Sequence, residues 1–478
     1  MQWPENASKL SREEIYDRLK GCIFGAAIGD AVGLATEFMT KQMARQIYGI
    51  GPIAFGNDKG YEFYVDRHRD GWDFGEWTDD TDQQLLIIDT LISNDGVFNT
   101  RDFSARLANW SNQGYPELDN KPPNGIGMTV GSVIRHSKFS KQPHRSAWEV
   151  WVRFDCNMAA NGALMRTAVL GVPFFWDEKQ VIKQTLQATK VTHADPRCCV
   201  SSVIVTMLIS KLIKGDIQNT SSDLDEETRE EILKWMQSGN PKNGVGQDLD
   251  EEISSPEDKN NTKRRSFIGK VINKVKNNLN NSSSNLFELW AKRAKRPYDS
   301  KQRNIAVIPD PPPPGVETFG SDPIMLELTR SLVERYKFMI LRNSKEQDDS
   351  TKIFKTFESD TSEKMLINYC FPNSFAELGL DERSSIGYVY KCLGAALYSF
   401  TRNLNGQENE GQAFKKIITE LTLEAGDADT NATVAGALLG ARIGYSKLPK
   451  EWVDGLKYKD WLNKRVDCLW DVISKASD

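Results

Sequence analysis

The stretch GDADTNATVAGALLGARIG, Gly426–Gly444, decides the fold class. Thr430–Gly444 carries helix-forming Ala and Leu at helical spacing and no proline, so it reads as a helix. Gly436, Gly440 and Gly444 recur every four residues and share one face. A face without side chains lets a partner backbone approach closely. Just ahead stand Asp427 and Asp429, two residues apart. Both can address one ion only from a loop or a first helical turn, and Gly426 permits the tight turn into the helix.

Working outward, Gly21–Glu37, GCIFGAAIGDAVGLATE, repeats the theme with small residues at Gly25, Gly29 and Gly33. Asp30 and Glu37 are seven apart and share a face if that helix continues to Glu37. Trp77–Asp82, WTDDTD, precedes an apolar run that reads as a helix over Asp82–Ser93. Helices are also predicted over Val200–Lys214, Tyr388–Arg402, Gln412–Glu424 and the amphipathic Pro323–Arg342. Alternation of period two is scarce. The expectation is an all-α fold in which 11–214 and 323–475 form one domain.

Residues 215–322 read as an insertion. Gly215–Gly315 is rich in Asn, Ser, Lys, Asp and Glu and ends in PDPPPPG. Such a composition buries too little apolar surface to offset chain entropy, so a disordered or loose excursion is expected. Pro311–Pro314 reads as a stiff extended spacer. Between Lys259 and Arg303, thirteen Lys and Arg face only Glu288 and Asp299. The runs KRR at Lys263–Arg265 and KRAKR at Lys292–Arg296 suit a nuclear address or a polyanion contact, or simply a solvated loop.

Composition excludes several classes. With 61 basic and 66 acidic residues among 478, the overall charge favours no nucleic-acid partner. Seven cysteines, an odd number without a CxxC pair, read as reduced thiols of a cytoplasmic or nuclear protein. Four histidines make a zinc site of His and Cys a poor fit. The apolar runs Val200–Leu212 and Ala432–Gly444 are interrupted and too short to span a bilayer, and no secretory pattern is visible at the N-terminus. A monomer without membrane contact is expected.

The carboxylates carry the chemistry. Thr78-Asp79-Asp80 could cap the helix that follows, but one Asp suffices for that. Adjacent carboxylates repel unless a cation sits between them, and hard ions such as Mg²⁺ take oxygen ligands of this kind. A second Asp/Thr cluster at Asp427-Ala428-Asp429-Thr430, also at a helix start, suggests opposite halves of a two-metal hydrolase site. Beside it, Glu37 becomes a candidate general acid/base. Asn161-Gly162 begins a turn whose amides can cradle phosphate. His193 in THADPR is either a satisfied core histidine or a ligand contact.

In this order, GCIFGAAIGDAVGLATE, WTDDT, NGALMR, THADPR and GDADTNATVAGALLGA resemble the ADP-ribosylglycohydrolases, over roughly Leu19–Lys214 and Ile386–Tyr445. The resemblance implies a compact orthogonal helical bundle holding two divalent ions, Mg²⁺ or Mn²⁺, in a central cleft. It places metal ligands at Thr78, Asp79, Asp80, Asp427, Asp429 and Thr430. Catalysis falls on Glu37 with Asp79 and Asp80, and substrate binding on Asn161, Gly162 and His193. The implied partner is ADP-ribose on a modified protein, with a lean to the arginine N-glycosidic over the serine O-glycosidic linkage. Adenine would stack on Trp110, Tyr115 or Trp151. The alternative is an inactive ADP-ribose-binding or crystallin-like member; retention of all six metal-ligand side chains favours an enzyme.

Overall fold

The two glycine-striped segments pack on each other. Arg12–Gly33 and Ala428–Ile443 are helices that run antiparallel. A Cβ on Gly25 would lie 2.2 Å from the carbonyl oxygen of Gly436, and one on Gly436 would lie 2.1 Å from that of Gly25. Gly21 meets Gly440 in the same way, and Gly29 meets Ala432. No side chain larger than hydrogen fits between these backbones. Gly21–Gly33 of the first helix and nearly all of the second are buried on every side, as central helices are. Ser11 and Glu14 form a capping box at the start of the first.

This computed structural model describes residues 3–53, 55, 62–118, 121–217, 224–240, 319–340, 359–404 and 409–474. They belong to the unit formed by Met1–Asp250 and Pro309–Asp478. The basic runs and the Pro311–Pro314 spacer lie outside the described residues. Among the described residues there are helices and three isolated bridges, and no strand, so the fold is all-α.

Other helices wrap the central pair. Val389–Phe400 and Glu410–Thr422 pack on Ala428–Ile443, and Asp79–Ser93 contacts it near its start. Pro196–Lys214 begins with Asp195 capping the Arg197 amide and ends on left-handed Gly215. By length and composition it could cross a membrane, which corrects the expectation that this run is too short. It is a core helix, with 83% of its apolar window buried inside the fold. Pro323–Tyr336, shorter than the predicted 323–342, packs against it.

Part of the stretch read as an excursion is folded. Glu226–Gln237 is a helix against Glu178–Lys190, with Ile232 fully buried. The buried Lys190 ammonium donates to the carbonyls of Trp235, Met236 and Ser238 at 2.6–2.7 Å. A cation on the last carbonyls of a helix satisfies acceptors that have no partner within it.

Candidate active site

The first helix stops at Gly33, so Glu37 does not continue its face as expected. The chain turns instead. Phe38 adopts φ +58°, and its amide donates to the Gly426 carbonyl at 2.6 Å. The Gly426 amide donates back to Met39 at 3.2 Å, which makes Glu37 and Gly426 a one-residue parallel bridge. Arg69, almost fully buried, staples this turn. Its Nε donates to the carbonyls of Leu34 and Ala35, and its Nη2 to that of Glu37. Glu37 therefore arrives beside Asp427 and Asp429 through backbone pairing.

Asp30, on the first helix and fully buried, caps the helix Asp79–Ser93 from outside. Its carboxylate accepts the amides of Thr78 (3.1 Å) and Thr81 (2.9 Å) and the Thr81 hydroxyl (2.6 Å). These bonds satisfy donors at a helix start and set a negative charge on its positive end. Capping is thus done by Asp30 and Thr78, which leaves Asp79 and Asp80 for other work. Sequence reasoning noticed Asp30 only for its spacing from Glu37; only the chain crossing identifies its partner.

The two acid clusters meet. The Thr78 hydroxyl lies 3.4 Å from Asp429 Oδ2 and 3.5 Å from Asp80 Oδ2. Thr430 hydrogen-bonds Asp80, and its amide donates to Asp429 Oδ1 at 2.8 Å. One carboxylate oxygen each of Glu37, Asp427 and Asp429 lies within 4.8 Å of the others. Asp80 Oδ1 is buried without a hydrogen-bond partner among the described residues. Burial first, then the charges of neighbouring carboxylates, push Asp79, Asp80 and Asp429 well above the usual carboxylate range. Burial also lifts Asp30 to about 6. Converging, partly unsatisfied hard oxygens are the donor set that divalent cations take, so the residues present fit a hard divalent cation.

Asn161 joins this cluster directly. Its Nδ2 donates to Asp427 Oδ2 at 2.7 Å, and its backbone amide donates to Gly387. Gly162 stands partly open beside His193. The His193 ring is buried, and burial with the nearby Arg166 charge holds its pKa well below the ordinary value. Its Nδ1 meets the Thr192 hydroxyl at 2.8 Å, and its Nε2 is buried without a partner.

The three aromatics expected to stack on adenine are core residues. Trp110 and Trp77 donate their Nε1 to Asp82, Tyr115 donates to the Asp82 carbonyl, and Trp151 donates to Asp195. Their apolar faces are buried and their polar ends are bonded. The exposed ring at this site is Phe38, 52% exposed. It lies 5.0 Å from the His68 ring, which lies 5.1 Å from Trp72. His68 Nε2 is 2.6 Å from Glu37 Oε2. Nothing in the sequence pointed to His68, which sits in a loop outside every motif.

The sequence profile described as ADP-ribosylglycohydrolase matches residues 11–284 and 327–478. An ADP-ribosylarginine hydrolase of Pseudomonas putida is 29% identical over 164 residues, 34% of this chain and 38% of that protein. The ADP-ribosyl-[dinitrogen reductase] glycohydrolase of Rhodospirillum rubrum is 25% identical over 212 residues, 43% of this chain and 61% of that protein. The chain thus spans less than two thirds of the length of these relatives. A solved structure called an ADP-ribosylglycohydrolase-related protein complex shares the fold, with a TM-score of 0.50, 17% identity, and coverage of 96% of this chain and 99% of that one.

Proposed function

The chain belongs to the ADP-ribosylglycohydrolase family, and from that premise we propose that it hydrolyses the bond joining ADP-ribose to a modified protein side chain, the arginine N-glycosidic linkage before the serine O-glycosidic one. The observation that carries this reading is the meeting of Thr78 and Asp80 with Asp429 and Thr430 around a buried carboxylate oxygen without a partner. The arginine preference draws on the relatives named ADP-ribosylarginine hydrolase in Pseudomonas putida and Serratia proteamaculans.

Thr78, Asp79, Asp80, Asp427, Asp429 and Thr430 would hold two divalent ions. When bound, such ions neutralise the buried charge, fix ribose hydroxyls and favour ionisation of water. The chain's own residues do the rest. Asn161 holds Asp427 in place. Asn161, Gly162 and His193 form the wall that receives ADP-ribose. Glu37 takes a proton from the attacking water and returns one to the departing nitrogen. The water oxygen bonds the anomeric carbon as the carbon–nitrogen bond breaks. Phe38, at the half-exposed edge, covers the side from which the modified side chain approaches.

The test is direct. Arginine-linked and serine-linked ADP-ribosylated peptides are incubated with the protein in Mg²⁺, Mn²⁺ or EDTA. Free ADP-ribose is expected from the arginine-linked peptide with metal and not with EDTA. No release from either peptide under any condition would overturn the proposal.

A further inference from the structure

A chain of buried hydrogen bonds runs from the acid cluster to the Gly162 wall. Asp79 Oδ2 accepts from Gln83 Nε2 at 2.7 Å. Gln83 Oε1 accepts from Arg166 Nη1 at 2.7 Å. Arg166 Nη2 donates to the Thr192 hydroxyl oxygen at 2.6 Å, and that hydroxyl lies 2.8 Å from His193 Nδ1. Gln83, Arg166, Thr192 and His193 are all buried.

The directions of the first three bonds are fixed by chemistry. Arginine only donates, so its two guanidinium nitrogens fix Gln83 Oε1 and Thr192 Oγ1 as acceptors. The amide nitrogen of Gln83 then faces Asp79. Thr192 has one hydroxyl hydrogen to give, and His193 Nδ1, 2.8 Å away, is the acceptor within reach among the described residues. A neutral imidazole whose Nδ1 accepts carries its proton on Nε2. That Nε2–H has no acceptor among the described residues. A Cβ on Gly162 would lie 3.3 Å from His193 Cε1 and 3.4 Å from Nε2, so this edge of the ring borders the space left by the missing side chain. A buried donor without a partner costs about 1–3 kcal/mol, which a ligand oxygen arriving there recovers.

We infer that Gln83, Arg166 and Thr192 are positioning residues. Together they lock His193 as an Nε2–H donor for an oxygen of the bound ligand at Gly162 and couple that donor to Asp79, so that ADP-ribose and a divalent ion each strengthen the binding of the other. This rests on the proposed function for the identity of the ligand. The relay itself rests on the four contacts above.

Two measurements on the full chain test it. In the first, Mn²⁺ and ADP-ribose are titrated separately and together. Coupling between two sites is reciprocal, and about fivefold or more is expected in the unaltered chain. Thr192→Val keeps the shape and removes the hydroxyl; coupling should fall by about twofold or more, the part supplied by direct contact of the ions with the ribose remaining, while Thr192→Ser restores it. Wild-type coupling in Thr192→Val would overturn the relay. In the second, ¹⁵N-histidine NMR of the unaltered chain reads the tautomer, with His193→Gln assigning the signal. A neutral Nε2–H form is expected, and an Nδ1–H form or an imidazolium at neutral pH would overturn the relay without reliance on a variant that folds. Failure of the unaltered chain to bind ADP-ribose at all would instead remove the proposed function, and the coupling with it, while the NMR result would still judge the hydrogen-bond chain.

Discussion

Between Gly21 and Gly29 the first helix meets Ala432–Gly440 with bare backbone on both sides, and any added carbon would strike a carbonyl. A few residues along the same two segments, Asp30, Glu37, Asp427 and Asp429 crowd together; burial opposes ionisation of Asp30, and burial with like charge opposes that of Asp427 and Asp429. The first region is close-packed and tolerates no atom more. The second concentrates groups that packing alone would reject. Their neighbourhood explains both: a helix pair with no lateral freedom holds carboxylates at a spacing that mutual repulsion would otherwise widen.

The comparison breaks most visibly if the acid end is removed without harm to the glycine end. Asp429→Asn should lower turnover by about a hundred- to a thousandfold and weaken Mn²⁺ binding, on the scale of losing one electrostatic contact to a transition state. In EDTA its unfolding temperature should equal or exceed that of the unaltered chain, because a buried carboxylate crowded by like groups has gone. An unfolding temperature that drops along with turnover would mean the carboxylates hold the fold together, and the division of labour would be wrong.

The converse variant is Gly436→Ala. Its methyl meets the Gly25 carbonyl, a backbone group with no way to turn aside. A loss of about 3 kcal/mol or more is expected from denaturant unfolding, at the upper end of overpacking costs. Mn²⁺ affinity should fall too, since the interface sets the position of Asp429. Gly125→Ala, where an added Cβ meets nothing within 4 Å, is the control and should stay within about 0.5 kcal/mol. A mild Gly436→Ala variant would show that the helices can part without disturbing the site.

The glycine stripe and the two acid clusters were legible because each is local: a period of four, or an Asp/Thr group at a helix start, can be read within a few residues. Which stripe packs on which could not be read, since Gly25 and Gly436 meet only through the whole topology. Glu37 was picked for the right neighbourhood on the wrong geometry, because the turn at Phe38 needs Gly426 as its partner. The adenine candidates failed for a related reason. Trp110 and Trp151 look like loop aromatics until Asp82 and Asp195 appear opposite their ring nitrogens. His68 was invisible because its role comes from one side-chain contact across the loop.

That contact gives a smaller effect that sharpens the acid side of the comparison. His68 bonds Glu37 but none of the other carboxylates to which a metal role is assigned. His68→Ala should therefore cut turnover by about ten- to a hundredfold, the usual range for a group that orients a reacting side chain. Mn²⁺ affinity and unfolding temperature should stay near those of the unaltered chain. Turnover lost together with Mn²⁺ affinity would place Glu37 among the metal ligands instead of beside them.

The smallest effect separates the two kinds of buried charge by their response to pH. His144 is fully buried; its Nε2 lies 2.9 Å from the Gln187 carbonyl, and burial, then the Lys190 charge, hold its pKa down to about 3. In the unfolded chain the ring takes up a proton near pH 6.5. As pH falls from 6.5 towards 3, the unfolded state gains protons that the folded state refuses, so the stability present above 6.5 is progressively lost. Asp30 runs the other way: its folded pKa of about 6 lies above the unfolded value, so its contribution fades as pH rises through 6. Between pH 7 and pH 5.5, His144 should cost about 1 kcal/mol, measured as the difference in unfolding free energy between the unaltered chain and His144→Gln at each pH. If that difference does not change with pH, His144 takes up its proton inside the fold as readily as in the unfolded chain, and a buried positive charge beside Lys190 would have to be compensated by a group other than the Gln187 carbonyl.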